Sequence, residues 1–279
     1  MEIIIPEPEE KNAIHPVFIF KQAWSACRKN LRQLSAIYLI FNLPITVISL
    51  SPMVRSLPHQ KPSCAAVLWF LLLMTISSWG HIALLLGANQ AVGAQDYTIG
   101  QSISQAKVFL VKYLALILSI TLFILGIIIV GGVSAGVVFA LLLRVNTILA
   151  VLICLIVIIA VIVSLVYFVL RWSLAGLACV FENTWPIPAL KDSFALVKQH
   201  INPVVGIFGL MGVMYVACFV PMTIAMVLLG VGRNVGQPNQ VGTTIYTILI
   251  NIVLVPFFTM ITVVLYKKLK EVVGAHVYA

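Results

Sequence analysis

Long apolar runs separated by short polar segments dominate the chain, at residues 34 to 54, 64 to 88, 113 to about 140, 145 to 170, 203 to 230 and 242 to 266. At 1.5 Å of rise per residue each can cross a hydrocarbon core of ~30 Å. The pattern therefore predicts an all-α fold, a polytopic membrane helical bundle of six transmembrane helices. The stretch from Tyr113 to Glu182 includes only Arg144 and Arg171 before its final glutamate, and at ~105 Å of helix it could hold a third span. A third span would invert everything downstream and place Lys191, Lys198, Lys267, Lys268 and Lys270 outside, so two long helices are expected here. The first twelve residues carry Glu2, Glu7, Glu9 and Glu10. They lack the basic start and apolar centre of a cleaved signal peptide, so residues 1–12 read as an exposed acidic tail before a single transmembrane domain, 13–279.

Composition agrees with the pattern. The chain is 62% hydrophobic and 9% charged, where a soluble domain carries about 25% charged residues, and its mean hydropathy is +1.12. A soluble globular protein is excluded. Net charge is +9, which in a soluble protein would raise nucleic acid as a partner. Here the basic residues must sit in short loops, and their expected partner is the anionic headgroups of membrane lipids; no nucleic acid is expected. Lys and Arg fall as five, two, three and three on one side of the membrane and two, one and one on the other, thirteen against four. The positive-inside rule then places both termini in the cytoplasm.

Ahead of the first span, Phe20, Trp24, Cys27, Leu31 and Leu34 recur at helical spacing, with Lys21, Ser25, Arg28 and Arg32 beside them. This predicts a basic amphipathic helix at the interface. The arrangement returns 170 residues later, ahead of the fifth span, as Leu190, Phe194, Val197 and Ile201 with Lys191 and Lys198. A weaker copy ahead of the third span has Val108, Val111 and Lys112, with Ser104 in the place of Phe20. The reading is a threefold internal repeat of interfacial helix and two-span hairpin, near residues 20, 105 and 190. Its alternative is that any helix entering a membrane from the cytoplasm looks basic and amphipathic.

Polar groups at depth are few. Asn42 and Pro44 lie near the middle of the first span, Ser77, Ser78 and His81 in the second, Pro221 in the fifth, and Asn251 and Pro256 in the sixth. They admit two readings: a midplane site lined by broken helices, or interhelical hydrogen bonds that satisfy kinks. No Asp, Glu or Lys lies at mid-depth to carry a proton or an ion, which favours the second. Gly132 and Gly136 form GxxxG, and Gly206, Gly209 and Gly212 recur every third residue, as helix packing uses. The five cysteines, Cys27, Cys64, Cys154, Cys179 and Cys218, include no CxxC and are expected as free thiols. No GxGxxG, P-loop, HExxH or GxSxG occurs, so no catalytic residue, metal or cofactor is expected.

One charged segment stands apart. Leu170-Arg171-Trp172-Ser173 leads through Phe181-Glu182-Asn183 to Ala189-Leu190-Lys191-Asp192-Ser193-Phe194 and then Pro203. With Ala23-Trp24, Arg28 and Asn30 before the first span and Pro256 and Tyr266 in the sixth, it resembles the six-span membrane domain attached to some bacterial glycerophosphodiester phosphodiesterases, and related stand-alone inner-membrane proteins. Arg171, Glu182, Ala189, Leu190 and Ser193 match that pattern. The resemblance implies a fold and a bacterial inner (plasma) membrane. The catalytic barrel of those phosphodiesterases is absent from the sequence, so their activity is not implied. Arg171 and Glu182 read either as a lipid-snorkelling arginine and a helix-terminating glutamate, or as a charged network with Lys191, Lys198 or Arg28. The expected function is a non-catalytic integral membrane protein, a lipid-interacting accessory or scaffold; the alternative is a small-molecule or lipid transporter. The charge asymmetry makes the topology testable with single-cysteine variants in intact cells. Positions 191 and 268 are expected to resist a membrane-impermeant thiol reagent applied from outside, and labelling at either would overturn the topology.

Overall fold

The computed structural model describes residues 14–49, 64–95, 97–143, 146–228 and 240–277. They form α1 (Pro16–Ser49), α2 (Cys64–Val92), α3 (Ile99–Leu142), α4 (Thr147–Trp172), α5 (Ala175–Phe181), α6 (Pro186–Gln199), α7 (Ile201–Leu228) and α8 (Gln240–Val277), with no strand among the described residues. Six stretches are long and apolar enough to cross a membrane: Pro16–Ile48, Val67–Val92, Ile99–Leu142, Thr147–Phe181, Ile201–Pro221 and Thr244–Val273. The all-α, six-span expectation holds. The acidic tail expected at residues 1–12 lies outside the described residues. Two compact units divide the chain, one of residues 1–110 with 200–279 and the other of 111–199.

In the first unit, α1, α2 and α8 pack against one another. Pro16 opens α1 at the position where its missing N–H costs nothing, and the His15 carbonyl accepts from the N–H groups of Phe18 and Ile19 at 3.1 and 3.3 Å. The buried stripe of α1 is Ile19, Ala23, Cys27, Leu34, Ile37 and Phe41. This departs from the apolar face read from the sequence, because Trp24 is 52% exposed. Small Ala23 faces the core instead, while Phe20 and Trp24 meet the Phe257 ring edge-on at 6.0 and 5.3 Å. Gly80 lets α2 approach α1, since a Cβ there would lie 2.5 Å from Phe41 Cβ.

The expected interfacial helices near residues 20 and 105 do not form as separate elements. Each runs on into its span, in α1 and α3, because neither Gly nor Pro interrupts residues 17–43 or 101–125. Only the third leader stands alone, as α6. It ends at Gln199, and Pro203 occupies the first turn of α7, where proline is tolerated but the preceding helix is not continued. Thr98 starts α3 with a reciprocal cap: its hydroxyl accepts from Gln101 N–H at 3.3 Å, and Gln101 Oε1 accepts from Thr98 N–H at 3.1 Å.

The second unit holds the rest of α3 with α4, α5 and α6. Asn146 caps α4 by accepting from Ile148 and Leu149 N–H at 2.9 and 3.3 Å. Beyond that cap, only Ala150 and Arg171 of α4 are buried, and Ile148 is 73% exposed. Short α5 is the opposite, with Ala175, Leu177, Ala178, Cys179 and Val180 all buried.

Proline at depth is compensated by neighbours. Pro256 lacks the N–H that would bond the Ile252 carbonyl within α8, and Ser35 Oγ of α1 donates to that carbonyl at 2.9 Å. In α7, which contains Pro221, the Tyr246 hydroxyl of α8 donates to the Cys218 carbonyl at 2.8 Å and so ties the two helices. Ser35→Ala is expected to destabilise the protein by about 1 kcal/mol in detergent-based unfolding. In a Pro256→Ala background, where residue 256 supplies its own N–H, that loss should largely vanish. Equal losses in both backgrounds would sever the link between the serine and the proline.

Candidate functional site

Arg171 closes the last turn of α4 and is 7% exposed, the one charged side chain buried among the described residues. A cation in that turn faces the negative end of the helix dipole. Its guanidinium lies 5.0 Å from the Tyr167 ring centre and 4.8 Å from that of Phe194, and Nη1 donates to the Phe194 carbonyl at 3.5 Å. Nε is buried with no partner. The backbone of the same residue is held as well: its carbonyl, one of the last four that a helix leaves unpaired, accepts from the buried Ser193 hydroxyl at 2.7 Å. Ala189, Ser193, Leu196 and Val197 form the buried face of α6, and the two small residues bring that helix close. The group is a joint between α4 and α6.

Lys112 makes a second joint. Its Nζ donates to the Asn183 carbonyl at 2.8 Å and to Asn183 Oδ1 at 2.7 Å, and lies 5.7 Å from the Trp185 ring centre. Asn183 has φ 54°, a left-handed conformation that Asn tolerates after a helix C-terminus. The lysine thus clamps the turn between α5 and α6.

The charged network read from the sequence is distributed differently. Glu182 is exposed at the end of α5, and Lys191 and Lys198 are exposed on α6. Arg28 is exposed on α1, in the other unit. Aromatic faces and backbone carbonyls, rather than a carboxylate, surround Arg171. The midplane polar groups divide too. Asn42 Nδ2 donates to the Tyr38 carbonyl at 3.1 Å, and the Tyr38 side chain is hydrogen-bonded to Asn251, so these two positions meet through Tyr38. His81 is exposed on α2. Gly132 and Gly136, the GxxxG pair, have open space where a Cβ would stand; neighbouring Gly131 makes the close approach, to Val161.

Sequence reasoning placed Lys112 only in the repeat and missed its bonds to Asn183, the Ser193 bond, and a second set of contacts between α2 and α3. There Trp79 Nε1 donates to the Ile103 carbonyl at 2.9 Å and Lys107 lies over the Trp79 ring. Tyr97, between those helices, is buried, and burial pushes its hydroxyl pKa up to about 12, so it stays protonated. The signal for Lys112 was an asparagine following an apolar helix, and its partner was 71 residues away. Among the described residues, no three His, Cys, Asp or Glu side chains gather as metal ligands.

Six membrane-length helices with apolar faces uncovered by protein define a polytopic membrane protein. The chain belongs to the family described as a domain of unknown function, DUF7847, whose match covers residues 17–269. No curated protein and no solved structure matches it.

Arg171→Ala is expected to lower the unfolding free energy by about 2–4 kcal/mol, through lost ring contacts and the cavity left behind. Arg171→Lys should recover only part of it, since an ammonium lacks the planar face that stacks between two rings. Ser193→Ala should cost about 1 kcal/mol. Wild-type melting in all three would reject the joint.

Proposed function

We propose that the protein is a non-catalytic membrane accessory or scaffold protein, with both termini cytoplasmic, that engages anionic lipid headgroups. The observation that carries this reading is where its cations lie. Arg171 is committed to a helix joint, whereas Lys21, Arg28, Lys29, Lys191 and Lys198 are exposed on the turns that precede spans. Juxtamembrane lysines and arginines attract anionic lipid at about 1 kcal/mol each. The thirteen-to-four asymmetry of basic residues puts these turns on the cytoplasmic side of a plasma membrane.

A relation to the membrane domain of some bacterial glycerophosphodiester phosphodiesterases belongs to the same reading. It is supported by the meeting of Arg171, Ala189 and Ser193, three residues of the matched pattern, in one packed joint.

Extraction into native lipid discs followed by lipid analysis tests the reading. Anionic lipid is expected to be enriched at least about twofold over the bulk membrane, in line with a few such cations. A disc composition equal to the bulk, or substrate flux catalysed by the purified protein in vesicles, would overturn it.

A further inference from the structure

The first unit contains an open groove of about 580 Å³, walled by α1 on one side and by Ala91, Val92 and Ala94 at the end of α2 on the other. Lys21, Ser25 and Lys29 line it at successive turns of α1, a spacing that sets the two lysines ~12 Å apart along the helix with the serine between them. Gln22 and Asn30 add amide groups. A second cavity of about 250 Å³ adjoins at Gln22 and Val92 and is lined further by Lys267, Lys268 and Glu271 of α8. Gln22 Oε1, between the two, is buried and has no partner.

The charges around this groove are not equally available. Lys268 pairs with Glu271 at 2.6 Å. Lys267 donates to the Asn89 carbonyl at 3.2 Å. The Gln90 and Ala91 carbonyls at the end of α2 are occupied too, accepting from Gln95 and Ala94 N–H at 3.1 and 3.3 Å. Lys21 and Lys29 are exposed, and among the described residues neither has an ion-pair partner. The Asn30 amide donates to the Ala26 carbonyl at 3.0 Å, so what remains is a mostly apolar trough with two uncommitted ammonium groups, a hydroxyl and the Gln22 amide, on the turns leading into a membrane span.

The geometry points to a headgroup site: the groove holds the phosphate of an anionic phospholipid between Lys21 and Lys29, with Ser25 as a further donor and the lipid's apolar portion along Ala26, Ala91 and Val92. This rests on the lipid-engaging reading above and narrows it from a diffuse basic face to one site. Two lysines hold a phosphate as point charges, and the hydroxyl between them fits an oxygen of a phosphodiester. The apolar walls distinguish a lipid from a free phosphate compound, which has nothing to place there.

The test uses the purified full-length chain in mild detergent, titrated with short-chain phosphatidylglycerol, with phosphatidylcholine of equal chain length, and with inorganic phosphate, reading thermal unfolding and native mass spectra. The wild-type protein is expected to be stabilised by phosphatidylglycerol and not by the other two. The pair Lys21→Gln with Lys29→Gln should weaken that binding about thirtyfold, about fivefold per lysine. Ser25→Glu, an exposed substitution that places a carboxylate between the lysines, should weaken it even if the double variant folds poorly. The pair Lys191→Gln with Lys198→Gln, which removes part of the general basic face on α6, should weaken it much less than the groove pair does. Equal weakening by the groove and α6 pairs, or none by the groove pair and Ser25→Glu, would overturn the site while leaving anionic-lipid engagement in place. Inorganic phosphate binding as tightly as phosphatidylglycerol would overturn the lipid assignment. No preference of the wild-type protein for phosphatidylglycerol over phosphatidylcholine would overturn both the site and the broader reading.

Discussion

A peptide N–H or C=O in hydrocarbon has no water to bond, and each one left unpaired costs several kcal/mol. That constraint explains why the described residues are helical and why the exceptions are the informative places. Beside Pro256 and at the end of α4, a side chain from elsewhere bonds the released carbonyl: Ser35 for Ile252 and Ser193 for Arg171. Serine does this at little cost in volume, which lets the helices remain close. Each such bond ties one helix to another where the helical ladder is interrupted.

Arg171 illustrates how a charge is accommodated without a counter-charge. Two aromatic faces and a backbone carbonyl surround the guanidinium. A weakly hydrated, planar cation suits such a place better than an ammonium would. Lys112 meets the complementary problem by reaching out to an exposed turn, where its compact charge takes two oxygens of Asn183. Both joints bind short α5 and α6 to the long helices beside them, and neither uses an acidic residue.

The two units differ in how much of their apolar surface protein covers. In the first, α2 and α8 carry long buried runs such as Ile82–Leu86 and Met260–Tyr266. In the second, the outer parts of α3 and α4 expose Val130, Val133, Val137, Leu141 and Ile148. A water-soluble protein rarely exposes so continuous an apolar surface; in a bilayer the same surface is solvated by lipid chains. Where lipid does that work, packing need hold only the helix ends, and the second unit's polar contacts gather there, at Arg171, Ser193, Lys112 and Asn183.

The spans were legible from the chain alone because length and hydropathy decide whether a helix can cross hydrocarbon, and neither depends on neighbours. Proline at 44, 221 and 256, the cap at Asn146 and the separation of α6 from α7 at Pro203 are local effects of the same kind. Which face of α1 turns inward was not local. Trp24 and Ala23 are adjacent in sequence, and only the approach of α2 and α8 decides that the alanine is covered and the tryptophan meets Phe257 from the rim. The partners of Arg171 were likewise out of reach, since eleven residues of continuous helix would have carried Glu182 ~16 Å away, whereas the break after Trp172 brings Ser193 and Phe194 back from 22 and 23 residues further on. Hydropathy is a property of each residue and its neighbours in sequence, while the partner of a buried cation depends on where the chain turns, and that was decided by the packing of small residues, Ala189 and Ser193, in the tertiary structure.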